Sequence, residues 1–224
     1  MIKTTCRLLA DYGRRLLQDR LTTGTGGNLS LALRAENLIA ISPSGVDYDL
    51  IKPEDISLIN FSGDHLEGLP PSSEWYLHLE IYRSRPEINA AVHTHSRFAT
   101  TFAVLRQPIP ACHYLIGIAG TREIRVAPYA TFGTPELSRL TSAALGRDNC
   151  ILMANHGLLA VGDNLQKAYE TALYIEEVAE IYYRARSLGT PFLLSKEEMD
   201  EALLRFRSYK AATTVSPTGP DINL

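Results

Sequence analysis

The sequence predicts an α/β fold in which helices flank a sheet, and three features indicate it. Short β-type runs such as residues 38–41 occur along the chain between helical patterns such as residues 2–20 and 164–188. Helix signals accompany these patterns, for example Thr134 followed by Pro135, which we expect to be the N-cap and the first helical residue. Candidate metal ligands occur on separate elements. We therefore expect an α/β sandwich with a metal at a strand edge.

Composition and charge limit the class of protein. The chain has 224 residues, of which 45% are hydrophobic and 21% charged, and its net charge is −3. This composition is typical of globular proteins, and the negative charge argues against binding to nucleic acid. Three separated cysteines without a CxxC pair indicate neither a disulfide framework nor a zinc ribbon. With no secretory signal and no long apolar run, we expect a cytoplasmic protein without a membrane partner.

No internal repeat or linker divides the chain, so we predict a single domain over residues 1–210. A capping box at Ser195 opens its last helix, which is expected to end near Tyr209. Residues 211–224 are rich in Thr, Ser, Pro and Gly and have little to bury, so we expect a mobile tail.

The strongest local signal is the apolar run of residues 90–95, which ends in two histidines one residue apart. On a strand, His93 and His95 would share a face with Cα atoms about 6.5 Å apart, so their imidazoles would converge. Zinc takes such ligands at about 2.0–2.1 Å. The alternative for this run alone is a pair of half-buried histidines at the end of a strand.

Two further residues extend the candidate ligand set. His156 interrupts the buried-strand pattern of residues 150–161, which presents its side chain at a kink. Glu74 stands at the start of a predicted helix whose N-cap we expect to be Ser72 or Ser73. Three imidazoles and a carboxylate are a set that zinc takes, with room for an exchangeable position.

Other histidines receive no ligand role. We expect His65 to be solvated, and His78 and Glu80 to be exposed or at an interface. His113 is left out of the metal set because it would diverge from its neighbour Tyr114 on an extended chain. A cupin, the other fold with a His-x-His motif, would want a glutamate four or five residues after His95, where this chain has Ala99 and Thr100.

Two small polar turns are candidate anion sites. The glycine cluster of residues 24–27 follows a helix and opens a strand, so it is not a dinucleotide-binding fingerprint. Its backbone N–H groups can form an anion-binding concavity, with the Asn28 amide as an added donor. A tight turn without a ligand is the alternative. Residues 42–45 form a second turn at a strand end, and the helix after Ser73 would also attract a phosphate.

Six motifs in order give the chain a resemblance to the class II aldolase and adducin family across nearly its whole length. The matching motifs are Gly26-Gly27-Asn28, Ser42-Pro43-Ser44-Gly45, Pro71-Ser72-Ser73-Glu74, His93-Thr94-His95, Pro128-Tyr129-Ala130-Thr131-Phe132-Gly133-Thr134 and Asn155-His156-Gly157. The resemblance implies a three-layer α/β/α sandwich with a mostly antiparallel central sheet. It also implies a metal-dependent aldolase that cleaves a ketose 1-phosphate to dihydroxyacetone phosphate and a small aldehyde.

The resemblance further implies the site residues. One Zn²⁺ per subunit, with Mn²⁺ or Co²⁺ as alternatives, is held by Glu74, His93, His95 and His156. The substrate phosphate is held by Gly27, Asn28, Ser44, Gly45, Ser72 and Ser73. The active sites of a homotetramer lie between subunits, with Tyr114 reaching in from a neighbour and Tyr209 near the substrate; both tyrosines and Glu74 are the expected catalytic residues.

Reaction chemistry independently favours a metal. Cleavage of a ketose 1-phosphate needs an electron sink at C2, which is either a lysine Schiff base or a metal ion. All five lysines lie in polar surroundings that would not lower a pKa: Lys3, Lys52, Lys167, Lys196 and Lys210. We therefore expect a metal as the sink, Glu74 to move the proton at the carbanion carbon, and Tyr114 to handle the proton on the aldehyde oxygen.

The same family includes sugar-acid phosphate decarboxylases, pentulose-phosphate 4-epimerases and methylthioribulose-phosphate dehydratases, which stay open as alternatives. Glu74 favours an aldolase because the epimerases typically carry aspartate at that position. A non-catalytic adducin-like scaffold would lack the ligand set. Two departures leave the sugar open, namely a serine in the residue 42–45 motif where the family enzyme has threonine, and Asn155 beside the third histidine.

Overall fold

A computed structural model describes residues 1–213 of the chain, with side chains through Ser208. Within this part the helices are α1 (Ile2–Gln18), α2 (Trp75–Ser84), α3 (Arg97–Leu105), α4 (Pro135–Leu145), α5 (Leu165–Leu188) and α6 (Lys196–Thr213). The strands are β1 (Asn28–Leu33), β2 (Leu38–Ile41), β3 (Ser57–Asn60), β4 (His65–Glu67), β5 (Ala90–Thr94), β6 (Val126–Ala127), β7 (Cys150–Met153) and β8 (Gly157–Gly162).

The described strands form one sheet in the order β4-β3-β2-β1-β5-β8-β7-β6. Neighbouring strands are antiparallel except for β6 and β7, which run parallel. The predicted mostly antiparallel sheet is therefore confirmed. Strand β5 lies near the middle of the sheet, between β1 and β8, and runs antiparallel to both. The C-terminal end of β5 therefore lies beside the N-terminal ends of β1 and β8.

Helices cover both faces of the sheet and make the three layers that were expected. Helices α1, α3 and α5 pack on one face, and α2 and α4 pack on the other. Strand β5 begins with three apolar residues in a row: Ala90 and Val92 face the first layer, and Ala91 faces the second. Because both faces of a central strand are buried, its apolar residues run together rather than alternate with polar ones.

Several boundaries follow the sequence, and three differ. Thr134 caps α4 as expected, and the capping box at Ser195 is formed. The N-cap of α2 is Glu74, so the expectation of Ser72 or Ser73 is wrong. The N-cap of α5 is Asn164, whose side chain accepts a hydrogen bond from the backbone N–H of Lys167. The helical pattern of residues 164–188 predicts Asp163 as this cap, and that prediction is wrong.

Helix α6 continues to Thr213, past the expected end at Tyr209 and into the predicted tail. Residues 214–224 lie outside the described part of the chain, so the tail and the single domain over residues 1–210 stay predictions. Among the described residues, no helix combines the length and the apolar character needed to cross a membrane.

Candidate active site

Four side chains from distant parts of the sequence converge at the C-terminal end of β5. One ligand atom from each of Glu74, His93, His95 and His156 lies within 4.8 Å of all the others. The Nε2 atoms of His93 and His95 are 3.0 Å apart. Glu74 Oε2 lies 3.1 Å from His93 Nε2, and Glu74 Oε1 lies 3.3 Å from His156 Nε2. The convergence predicted for His93 and His95 is present, and two further candidates join it.

Each ligand is placed by the end of a regular element. His93 is the fourth residue of β5, and His95 follows directly after its last residue. His156 lies in the tight turn between β7 and β8, and Glu74 is the N-cap of α2. The β5 ladder holds His93 in place, and the other three residues lie outside regular strands, so their side chains can turn toward its ring. The kink predicted at His156 is the turn of a hairpin.

The cluster fits a tetrahedral divalent ion. Bonds of about 2.0–2.1 Å in tetrahedral geometry put neighbouring ligand atoms about 3.3 Å apart, close to the 3.0–3.3 Å of three of the pairs, and all the pairs lie within 4.8 Å. His93 Nδ1–H donates to the carbonyl oxygen of Leu158 at 2.9 Å, which leaves the Nε2 lone pair aimed at the centre. Among the described residues, Oε1 of Glu74 is buried without a hydrogen-bond partner, as a ligand oxygen would be.

The protonation states also suit a metal. Burial would raise the pKa of Glu74, but the neighbouring His93 and His156 hold it well below its usual range. Burial, with the nearby imidazoles, lowers the pKa of His156 to about 4 and that of His95 to about 3. For His93, burial opposes protonation, but the charge of Glu74 raises the pKa above its usual value. The ionised Glu74 and the neutral His95 and His156 are in the states that metal ligands need, and a bound cation would displace the proton that the raised pKa of His93 favours.

Two glycines permit the close approach of the loops around the cluster. Gly27 has φ of +70°, and a Cβ there would lie 2.6 Å from the carbonyl oxygen of His93. A Cβ on Gly157 would collide with the carbonyl oxygen of Thr94 and press on the rings of His93 and His95. Any larger side chain at these positions would push the histidine-bearing strand away, so both motifs need glycine for steric reasons.

A cleft of about 490 Å³ opens beside the cluster. All six predicted phosphate-binding residues line it, namely Gly27, Asn28, Ser44, Gly45, Ser72 and Ser73. The backbone N–H of Ser44 donates to Pro70, and that of Ser72 donates to Ser42, which ties two loops together. Since these N–H groups are engaged, Ser44 and Ser72 have only their hydroxyl groups left to donate to a ligand. The structure thus brings the predicted anion site next to the predicted metal site.

Asn28 joins these two halves of the cleft. Its Nδ2 donates to Glu74 Oε2 and to Ser72 Oγ, each at 3.0 Å. The sequence suggested the Asn28 amide as a free donor for an anion, whereas the structure shows both of its N–H groups engaged within the protein.

The expectation that His78 is exposed or at an interface is wrong. His78 is fully buried on α2 and bonds to Ser30 and Asn28. Glu80 is half-buried, and His65 is exposed as expected. The prediction that His78 is exposed was wrong because its polar partners come from β1, about 50 residues earlier in the sequence. A signal was present, since Glu74, His78 and Tyr82 recur every four residues and so share one helix face.

Tyr114 is not brought to the cluster by its own chain. It starts the 3₁₀ segment Tyr114–Ala119, is 54% exposed, and stacks on Phe206 of α6 with ring centroids 6.3 Å apart. The neighbouring His113 accepts a hydrogen bond from Leu115 and takes no part in the cluster, as predicted. The side chain of Tyr209 lies outside the described residues.

Two aromatic residues of the cleft were assigned no role from the sequence. Tyr129 and Phe132 line the cleft, and they are 54% and 66% exposed. Both belong to the motif of residues 128–134, so the signal was there: large apolar rings on a Gly- and Thr-containing loop. Asn155, also at the cleft, has φ of +55° and accepts a hydrogen bond from Arg106.

Comparisons with known proteins define the class. The sequence matches the Class II Aldolase and Adducin N-terminal domain over residues 7–183. The chain belongs to this family. Its relatives in the family are aldolases, and the chain is itself a metal-dependent aldolase, that is, an aldehyde-lyase.

Two relatives and one solved structure illustrate the similarity. The 5-deoxy-D-ribulose 1-phosphate aldolase of Bacillus thuringiensis serovar kurstaki is 45% identical over 88% of this chain and 93% of its own length. The L-fuculose phosphate aldolase of Haemophilus influenzae is 41% identical over 84% of this chain and 87% of its own. A solved L-fuculose 1-phosphate aldolase superposes with a TM-score of 0.88 at 42% identity, over 91% of this chain and 96% of that chain.

Proposed function

We propose that the protein reversibly cleaves L-fuculose 1-phosphate, or a close ketose 1-phosphate analogue, to dihydroxyacetone phosphate and a small aldehyde. The observation that carries the proposal is the juxtaposition in one cleft of the Glu74–His93–His95–His156 cluster with Ser- and Gly-rich loops. The first would take a divalent ion and the second a phosphate. A ketose 1-phosphate carries its phosphate on C1 and its carbonyl on the adjacent C2, so it suits both.

We propose Zn²⁺ as the ion, one per subunit, since imidazole-rich sets suit it, with Mn²⁺ or Co²⁺ as alternatives. When bound, the ion would supply Lewis acidity that draws electrons from the C2 carbonyl of the substrate. The four residues of the cluster would hold it. The Gly27, Gly45 and Ser73 backbone and the Ser44 and Ser72 hydroxyls would bind the phosphate, and Asn28 would hold Ser72 and Glu74 in place.

In the condensation direction, the ionised carboxylate of Glu74 would take a proton from the carbon of dihydroxyacetone phosphate that becomes C3, since its Oε1 has no hydrogen-bond partner among the described residues. The electron pair left on C3 would form the C3–C4 bond with the aldehyde carbon, and the phenol of Tyr114 from a neighbouring subunit would give its proton to the aldehyde oxygen, which becomes the C4 hydroxyl. Glu74 then loses its proton to water and Tyr114 regains one from water, and cleavage is the reverse of these steps. Proton transfer by such groups contributes typically 10²–10⁴-fold.

We propose a homotetramer with active sites between subunits. The support is that Tyr114 is exposed and lines a groove with α6 rather than the cleft of its own chain. A neighbouring subunit would have to supply it. The placement of Tyr209 near the substrate and the cytoplasmic location remain predictions.

The aldehyde part of the substrate is expected to end in an apolar group. Relatives are named for L-fuculose phosphate and for 5-deoxyribulose 1-phosphate, and both sugars end in a methyl group. In this chain Tyr129 and Phe132 offer exposed rings at the cleft, which would contact a methyl better than a hydroxyl. The products besides dihydroxyacetone phosphate would then be lactaldehyde or acetaldehyde.

The other reactions of the family are disfavoured. The ligand at position 74 is glutamate rather than the aspartate expected of an epimerase, and both relatives described above are named as aldolases. A decarboxylase or dehydratase would need a different substrate rather than a different metal site. An adducin-like scaffold would not keep all four members of the cluster.

The test is condensation of dihydroxyacetone phosphate with lactaldehyde, glycolaldehyde or acetaldehyde, with and without a chelator and with Zn²⁺, Mn²⁺ or Co²⁺ restored. We expect chelator-sensitive product formation, with the methyl-ended aldehydes preferred. A matched pair of variants, His95→Ala in the cluster and His65→Ala on the exposed strand β4, separates metal loss from histidine loss in general. Absence of condensation with every aldehyde, in metal-loaded protein, would refute the proposal.

A further inference from the structure

A buried chain of hydrogen bonds runs behind the cleft from α2 to the amide of Asn28. Asn28 and Ser30 lie two apart on β1, and His78 and Tyr82 lie four apart on α2, so each pair shares a face. His78 Nδ1 lies 2.6 Å from Ser30 Oγ, which lies 2.6 Å from Tyr82 OH. His78 Nε2 contacts Asn28 Oδ1. All four side chains are buried, and those of Ser30, His78 and Tyr82 are fully buried.

The direction of the chain follows from its acceptor end. The ionised Glu74 can only accept, so Asn28 turns its NH₂ group toward it and its Oδ1 toward His78. His78 Nε2 must then carry a hydrogen. In a neutral ring Nδ1 is left as the acceptor, so Ser30 donates to it, and Tyr82 donates to Ser30. Burial, helped by the nearby His93, lowers the pKa of His78 to about 3, which keeps the ring neutral.

The Asn28 amide in turn sets two groups of the cleft. One of its N–H groups goes to Glu74 and the other to Ser72. Ser72 Oγ also accepts the backbone N–H of Glu74 at 3.3 Å. With both of its acceptor positions filled, the Ser72 hydroxyl has its own hydrogen left to donate into the cleft, where a phosphate oxygen would accept it.

We propose that His78 is a positioning residue whose Nε2–H fixes the Asn28 amide, and through it the Glu74 carboxylate and the Ser72 hydroxyl. This role rests on the function proposed above. Without a donor at position 78, the amide is free to rotate by half a turn and bring its Oδ1 against the carboxylate of Glu74. Two acceptors would then face each other in a buried place, which costs free energy and displaces the carboxylate.

Three variants separate positioning from packing. His78→Leu removes the donor, His78→Gln restores an N–H near the position of Nε2, and Tyr82→Phe removes only the distal end of the chain. We expect His78→Leu to lower kcat and Zn²⁺ affinity by about 10–100-fold, His78→Gln to recover most of both, and Tyr82→Phe to have a smaller effect. The control is His65→Gln, which replaces an exposed histidine of β4 that lies outside the chain of hydrogen bonds. Urea midpoints identify any variant that fails to fold.

A readout that does not need activity is the ring tautomer in ¹⁵N NMR of the metal-free protein. We expect a neutral His78 with hydrogen on Nε2, opposite to His93, whose Nδ1 donates to Leu158. Hydrogen on Nδ1 of His78, or equal losses in His78→Leu and His78→Gln when both fold, would overturn the role. If wild type cleaves no ketose phosphate but His78→Leu still weakens Zn²⁺ binding, the proposed function fails and the positioning role stands. If wild type is an active aldolase and His78→Leu changes neither kcat nor Zn²⁺ affinity, the proposed function stands and the positioning role fails.

Discussion

Gly27 and Gly45 allow the cost of a glycine's backbone conformation to be separated from the cost of a clash beside the metal cluster. Both have φ of +70°, so alanine is strained at each, by about 1–2 kcal/mol. They differ in their surroundings. A Cβ on Gly45 meets nothing within 4 Å, whereas one on Gly27 would lie 2.6 Å from the carbonyl oxygen of His93.

The clash at Gly27 falls on His93, one of the four proposed metal ligands. Real Cβ contacts essentially never fall below 3.0 Å, so Gly27→Ala must shift the loop or β5 by at least about 0.4 Å (3.0 − 2.6). Overpacking of this kind costs about 1–3 kcal/mol. The shift is comparable with the tolerance of about 0.5 Å within which a functional site must be held. We therefore expect Gly27→Ala to damage metal binding as well as stability.

The assay is thermal unfolding together with the metal content of the purified protein. For a chain of this size 1 kcal/mol corresponds to about 2–4 °C, so Gly45→Ala should lower Tm by about 2–8 °C and keep its metal. Gly27→Ala should lower Tm by about 2–12 °C more and lose metal. If the two variants match in Tm and in metal content, β5 does not carry the clash to the cluster and the reasoning is refuted.

Three other predictions concern the proton-handling groups and the buried histidine. Glu74→Gln should stay folded and metal-loaded but lose about 10²–10⁴ of turnover, with exposed Glu67→Gln as control; activity within a few-fold of wild type would remove the proton role. Tyr114→Phe should slow the reaction without changing the mass of the oligomer in light scattering, with Tyr183→Phe as control, and an unchanged rate would exclude Tyr114. His78 has a pKa of about 3 when folded and about 6.5 when unfolded, so the unfolded chain binds the proton first and stability falls as pH drops from about 6.5 toward 3. His78→Gln should reduce that slope in urea titrations by up to about 1.4 kcal/mol per pH unit, and an unaltered slope would contradict the burial of a neutral ring.

Patterns local in sequence determined much of the fold and the metal cluster. Strand periodicity predicts that His93 and His95 converge, since side chains two apart on a strand point the same way, and they do so although His95 lies one residue past the end of β5. Thr134 and Ser195 acted as caps because their hydroxyls reach N–H groups three residues on, within the same helix. These features depend on backbone geometry within a few residues, so no knowledge of the rest of the chain was needed.

Tertiary structure decided what lies between distant segments. His78 and Asn28 are 50 residues apart, and the burial of His78 depends on the approach of α2 to β1, which a single helix pattern does not specify. The engagement of the Asn28 amide by Glu74 likewise depends on where the N-cap of α2 falls against β1. The sequence by itself named the candidate metal ligands and the candidate phosphate-binding loops. Only the packed sheet and helices showed which polar groups satisfy one another, because a buried hydrogen bond is set by the positions of both partners.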